Sequence, residues 1–263
     1  MPSLEVAIVL NFASPHRTLD ALDPKRTTDH REAWVVGLQH RHQVRIASGS
    51  REYMVIRFTP LGAYLFLRTP MELLVDRTID LEEIDRPFAE AFIGRIKDTP
   101  GWAARFDLVE RTIAERLGSV SSPPVALIHS WQRLLERPNN LDLALLPSES
   151  ACSRRHLIAQ FCRYFGMPPK TIARVRRFNL VLGAINRLGR NIAQYPEGKP
   201  YLDLQRNRNC ASGINPPIRW ADLALDRGYY DQPHFIKEFR AFAGLTPVEF
   251  LRQTWLDGDG PSA

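Results

Sequence analysis

A segment of 14 residues occurs twice in this chain: HLIAQFCRYFGMPP, His156 to Pro169, aligns without a gap on HFIKEFRAFAGLTP, His234 to Pro247, at an offset of 78. His156/His234, Ile158/Ile236, Phe161/Phe239, Gly166/Gly244 and Pro169/Pro247 are identical, and Leu157/Phe235 is conservative. A duplicated unit narrows the possible folds, because both copies must satisfy one packing scheme. Leu157 with Phe161, and Phe235 with Phe239, lie four apart and predict an apolar helix stripe. Gly166 and Gly244 stand where a helix end needs a left-handed residue. Pro169 and Pro247 suit the first turn of a following helix. Ahead of the second copy, Trp220-Ala221-Asp222-Leu223-Ala224 predicts a short amphipathic helix. Gly228 then supplies a tight turn, and Asp231 can cap the next helix. Helix, glycine turn, helix is the helix-turn-helix pattern. Ser153 is the matching cap in the first copy.

Charge divides the chain along the same line. Residues 1–150 carry 18 Lys/Arg and 20 Asp/Glu, net −2, whereas residues 151–263 carry 17 and 9, net +8. Ala151–Pro196 has nine basic residues and no acidic one. Charge of one sign gathered in one half points to a polyanionic partner or to a solvated basic face. Composition is ordinary for a globular chain, at 44% hydrophobic and 24% charged residues. No apolar run approaches the roughly 18 residues of a membrane span. The N-terminus has no basic leader, so it reads as a strand and not a signal peptide. The three cysteines, Cys152, Cys162 and Cys210, are odd in number and lack C-x-x-C spacing, which suits a reducing cytoplasm. Cys152 and Cys162 read as core thiols.

Residues 5–75 read mainly as strands, at LEVAIVLNF, AWVVGLQ, YMVIRFTP and AYLFLR, punctuated by Gly37, Gly49, Pro60, Gly62 and Pro70. From Asp80 the pattern turns helical. Asp80-Leu81-Glu82-Glu83 predicts a helix start, and PFAEAFIGRI, GWAARFDLVERTIAERLG and PPVALIHSWQRLLE repeat apolar residues three and four apart. The expected class is α+β. A β-rich domain with a helical connector (about 80–136) fills residues 1–137, and an all-α domain fills 141–255, with the boundary near Arg137–Asn140. Asn191–Pro216 is rich in Gly, Pro and Asn and reads as a loop insert.

At these residues the chain resembles the AraC/XylS family of transcriptional regulators. Ala221–Arg252 follows the family signature A-x-x-x-G-[FY]-x-[DS]-x-x-x-F-x-x-x-F-[KR]-x-x-x-G-x-[TS]-P with small gaps. The first unit is similar at Ser153–Leu157, Phe161 and Gly166–Lys170, followed by the basic ARVRRF. The resemblance covers roughly residues 141–252. It implies two units joined by a long helix, each placing one recognition helix in successive major grooves of double-stranded DNA. Pro147 departs from the pattern and requires the first helix of unit one to be short, shifted or started there. The offset of 78 also exceeds the family's usual separation, and the excess falls in the 191–216 insert. Val36–Gln39 and Phe58–Ala63 resemble the cupin-like sensor domain of one family branch. That implies a domain that binds a small-molecule effector or forms a homodimer. Chains of that branch carry more sequence before the strand at residues 5–12, so an edge strand is expected to be missing or the chain to begin late. No residues stand out as an effector site.

Carried over position by position, the resemblance makes Arg155, Ile158 and Ala159 the base readers of unit one. Gln232, Pro233, Ile236 and Lys237 are those of unit two. Arg155 would pair with guanine and Gln232 with adenine, each contributing about 1–3 kcal/mol of discrimination. Ile158 and Ala159 would sense thymine methyls or shape. Arg154, Arg163, Arg174 and Arg240 are the phosphate candidates. In the insert, Arg206 and Arg208 reach phosphate or the minor groove, or belong to a passive loop.

Other chemistry is weakly marked. His40-Arg41-His42 offers two potential metal ligands on one strand face, but 43–51 holds no carboxylate, and a site needs three or four converging ligands. The expectation is no metal, no cofactor and no catalytic residue. P-loop, G-x-G-x-x-G and G-x-S-x-G motifs are absent. Tyr229 and Tyr230 are expected to fill the turn and core, and His156 and His234 to pack against the partner helix. A sequence-specific transcriptional regulator is the leading reading. A cupin-type metalloenzyme with an accessory helical nucleic-acid-binding half, and a nonspecific nucleic-acid binder, remain as alternatives.

Overall fold

The computed structural model describes residues 1–12, 16–20, 27–30, 32–41, 45–48, 52–118, 123–138, 154–193 and 219–256. Among the described residues, seven strands lie between Val6 and Asp80. β1 (Val6–Asn11), β4 (Ala33–Val36), β6 (Tyr53–Phe58) and β7 (Thr78–Asp80) form an antiparallel sheet in the order β6-β1-β4-β7. β2 (His16–Asp20), β3 (Thr27–His30) and β5 (Arg45–Ser48) form a second in the order β3-β2-β5. Sequence reasoning did not anticipate this second sheet. In β6, Met54, Ile56 and Phe58 point inward while Tyr53, Val55 and Arg57 face out. That alternation is the two-residue period of a strand with one buried face. Register places Ile8 opposite Ile56 and Val35.

The segment AYLFLR is not a strand, although its aromatic content suggested one. Its first five residues lie in α1 (Pro60–Leu67), and Arg68 caps that helix. Thr59 caps this helix by accepting from Gly62 N, Pro60 occupies the first turn, and Ala63, Phe66 and Leu67 are buried at helical spacing. Local capping plus a helical burial pattern overrode β propensity. A 3-10 turn at Met71–Leu74 follows. It passes so close to Gly37 that a side chain there would overlap the Leu74 carbonyl. Gly37 is therefore required by close approach.

α2 (Leu81–Asp98), α3 (Trp102–Leu117) and α4 (Val125–Glu136) fall where the periodicity places them. Asp85 breaks α2 with φ −152, two residues before Pro87, and its Oδ1 accepts from Phe88 N at 3.3 Å, restarting the helix. Arg116 of α3 ties this corner: Nε donates to Phe66 O at 2.8 Å, Nη2 lies 3.0 Å from Asp85 Oδ2, and the guanidinium covers the Phe88 ring at 3.7 Å. Phe58, Phe66, Phe88 and Phe92 continue the core from sheet to helices.

The helical half holds α5 (Arg154–Phe165), α6 (Pro169–Ala193), α7 (Trp220–Asp226), α8 (Gln232–Ala243) and α9 (Pro247–Leu251), then a π-helical turn at Arg252–Leu256. The helix α6 runs to Ala193, beyond the insert start read at Asn191. Asn191, Ile192 and Ala193 are not breakers, and the first proline is Pro196. Pro147, Cys152, Ser153, Cys210, Arg206 and Arg208 lie outside the described residues, as does the break at 139–140. Two compact units emerge, Met1–Val175 and Arg176–Ala263. Their division falls within α6, and α5 shares one core with the sheet and the connector helices. Trp131 of α4 stacks on Phe165 of α5 with centroids 4.4 Å apart. Gly166 leaves no room for a Cβ against Leu38. Among the described residues, no helix is long and apolar enough to cross a membrane.

Candidate nucleic-acid interface

In the second unit, Arg227 caps α7, and the chain turns through Gly228 at φ 78. Tyr229 N donates back to Ala224 O at 2.9 Å. Asp231 then caps α8, its Oδ1 accepting from His234 N at 2.7 Å. The inner face of α8 is apolar: Phe235, Phe239 and Phe242 are buried, meeting Phe178 of α6 and Phe250 of α9. The outer face carries Pro233, His234, Lys237 and Arg240, all exposed, beside half-buried Gln232 and Ile236. Pro233, Lys237 and Arg240 are spaced four and three apart and so form one stripe. Gly244 at φ 77 ends α8. Thr246 opens α9 with a reciprocal capping box to Glu249. Its hydrogen bonds to backbone and hydroxyl of Thr246, with Arg240 nearby, hold the Glu249 carboxyl below the usual range.

The first copy repeats these features. Phe161 and Phe165 are buried, Gly166 has φ 83, and buried Pro169 starts α6. Arg155 and Ala159 are exposed and Ile158 is half-buried, matching the exposure of Pro233, Lys237 and Ile236 at the same offset. Arg163 is also exposed, but it is not a solitary cation. Tyr64 of α1 hydrogen-bonds it and raises its pKa further. The Tyr64 ring also packs on Tyr164, with centroids 4.5 Å apart. Arg174 is half-buried in α6. The backbone of Arg154 begins α5.

Behind α8 lies a charged cluster that sequence reading had not assembled. Arg177 of α6 donates from Nη1 to Gly228 O at 3.3 Å and sets Nη2 3.8 Å from Glu238 Oε1. Its guanidinium also sits 5.3 Å from the Tyr229 ring centroid. The Glu238 side chain is 5% exposed and that of Arg177 17%. A buried carboxylate requires a counter-charge, and Arg177 supplies it. One side chain thus holds the turn and the recognition-helix candidate together. Arg177 had figured only as one of nine basic residues; the clue available in the sequence was a glutamate, Glu238, on a helix face otherwise filled by phenylalanine.

No family model matches the sequence, and no curated protein matches it. Among solved structures the chain is similar to ToxT from Vibrio cholerae O395, at 10% identity and a TM-score of 0.41, covering 95% of this chain and 90% of that one. A structure of ToxT bound to unsaturated fatty acid, from strain SCE256, has 10% identity and a TM-score of 0.42, covering 98% and 90%. Overlaps of this size carry no argument about function.

Several expected roles shift. His156 and His234, expected to pack against the partner helix, are both exposed, on α5 and α8. The inward positions beside them are already filled by Phe161, Phe235 and Phe239. Tyr229 is buried as expected, but Tyr230 is 87% exposed. The backbone N–H of His40 donates to Asp76 Oδ1 at 3.0 Å, and its Nδ1 lies 2.6 Å from Asp76 Oδ2. His42 is outside the described residues, and among those described no three His, Cys, Asp or Glu converge.

Proposed function

We propose that this chain is a sequence-specific transcriptional regulator of AraC/XylS type that binds double-stranded DNA through two helix-turn-helix units. The supporting observation is the equivalence of the two copies. Each has a helix ended by a left-handed glycine, followed by a proline-started helix, with matched buried and exposed positions 78 residues apart. Arg155, Ile158 and Ala159 of α5, with Gln232, Pro233, Ile236 and Lys237 of α8, are the proposed base readers. Arg154, Arg163, Arg174 and Arg240 are the proposed phosphate contacts. Residues 141–255 form the DNA-binding region in this reading, and 1–137 a cupin-like region that senses a small molecule or pairs two chains. The test is selection from a random duplex pool by the full chain. Enrichment of one motif supports the reading, and equal retention of scrambled duplexes overturns it.

A further inference from the structure

The two copies share a detail beyond their helix boundaries. Each exposes a histidine near the start of its proposed reading helix, and each sets a polar side chain four residues on against that ring. His156 Nε2 lies 3.1 Å from Gln160 Nε2. His234 Nε2 lies 4.0 Å from Glu238 Oε2, with the imidazole 45% exposed. The chemistry of the partners differs. An amide both donates and accepts, so it serves either protonation state of a histidine. A carboxylate only accepts, so it can be met only by a ring nitrogen that carries a proton.

We infer that His234 is a DNA-contacting residue of the second unit, acting as an imidazolium that Glu238 supports from behind. This rests on the DNA-binding reading and names a residue and a charge state within it. Glu238 uses its two oxygens in opposite directions, Oε1 toward Arg177 and Oε2 toward His234. The other groups about the imidazole are the Tyr229 ring, edge-on at 5.6 Å, the Asp231 carboxylate capping its own backbone N–H, and Lys237 one turn along α8. DNA completes the set with negative charge on the open side. An imidazolium between a buried carboxylate and the duplex donates to a guanine N7 or O6, or to a phosphate oxygen. Histidine changes charge between about pH 5 and 8. Proton uptake then accompanies binding, so affinity rises as pH falls.

The experiment uses the full chain and the duplex it selects from a random pool at pH 6, with dissociation constants measured from pH 5.5 to 8 at fixed ionic strength. Wild type should weaken on the order of tenfold between pH 6 and 8, as expected for loss of a charge-assisted hydrogen bond. His156→Gln should keep that change. His234→Gln should flatten it, and Glu238→Gln should reduce it, with thermal melting confirming that each variant is folded. A base contact alters preference at one position of the motif. A phosphate contact instead weakens all sequences alike and lowers the log–log salt slope at pH 6 by about 0.9. A flat wild-type profile, or a His234→Gln profile that keeps the wild-type change, overturns the inference and leaves the DNA reading standing. Failure to enrich any motif overturns the DNA reading and this inference with it.

Discussion

Trp255 sits so close to Gly189 that any side chain there would overlap its indole ring, and it donates from Nε1 to Asn186 Oδ1 at 3.3 Å. A glycine inside α6 costs about 1 kcal/mol of helix propensity relative to alanine. Gly189→Ala recovers that and displaces the tryptophan, an overpacking cost of about 1–3 kcal/mol. The expected net result is a lower melting temperature and red-shifted tryptophan emission. A variant that melts at or above wild type shows that Trp255 does not need this glycine.

Arg177 and Glu238 form an ion pair with little access to water. Arg177→Met strands the carboxylate and should destabilise the second unit by about 3 kcal/mol in urea unfolding. Adding Glu238→Leu removes the stranded charge and should recover most of that loss. If the double variant is as unstable as the single one, the hydrogen bond to Gly228 O, and not the charge, carries the stabilisation.

The Glu249 carboxyl has a depressed pKa in the folded chain because Thr246 donates to it. Its contribution to stability is therefore present above the ordinary glutamate range and is lost as pH falls through the lowered value. Thr246→Val should return the Glu249 side-chain NMR titration toward the normal midpoint. It should also lessen the loss of stability in acid. An unmoved midpoint would assign the depression to the Thr246 backbone N–H, which the substitution leaves in place.

Burial, with Glu72 nearby, pushes the Cys162 thiol above its usual pKa. Only the thiolate attacks alkylating reagents. Cys162 should therefore react with iodoacetamide at pH 8 severalfold more slowly than free cysteine, read by mass spectrometry of the tryptic peptide. Glu72→Gln should speed the reaction slightly by removing the nearby negative charge. Reaction as fast as free cysteine would mean that α5 opens readily from its core.

Arg155 and Lys237 stand on the exposed faces of α5 and α8. Arg155→Ala should relax preference at one motif position by about 1–3 kcal/mol while leaving binding to scrambled duplexes nearly unchanged. Lys237→Ala should do so at a different position. Uniform weakening of both sequence classes in fluorescence anisotropy would reassign either side chain to phosphate.

What the sequence determined by itself was local. Gly166, Gly228 and Gly244 take positive φ, Asp231 and Thr246 cap helices, and Pro169 and Pro247 start them. These effects act within about four residues, so they are written in consecutive letters. Phe161 and Phe239 were legible as core for a similar reason, since helical spacing alone puts them on one face. Tertiary structure decided the rest. Whether AYLFLR became strand or helix depended on Thr59 together with the core that receives Phe66, and propensity alone favoured the wrong answer. That α5 joins the core of the first unit, through Trp131 and Leu38, follows from complementary surfaces far apart in the chain. Arg177 meets Gly228 across 51 residues, and no short-range pattern marks that encounter. Caps and turns are set by backbone groups within reach of their own side chains. Ion pairs, exposure and domain division are set by which faces the folded chain brings together, which is why the charged support behind His234 emerged only in three dimensions.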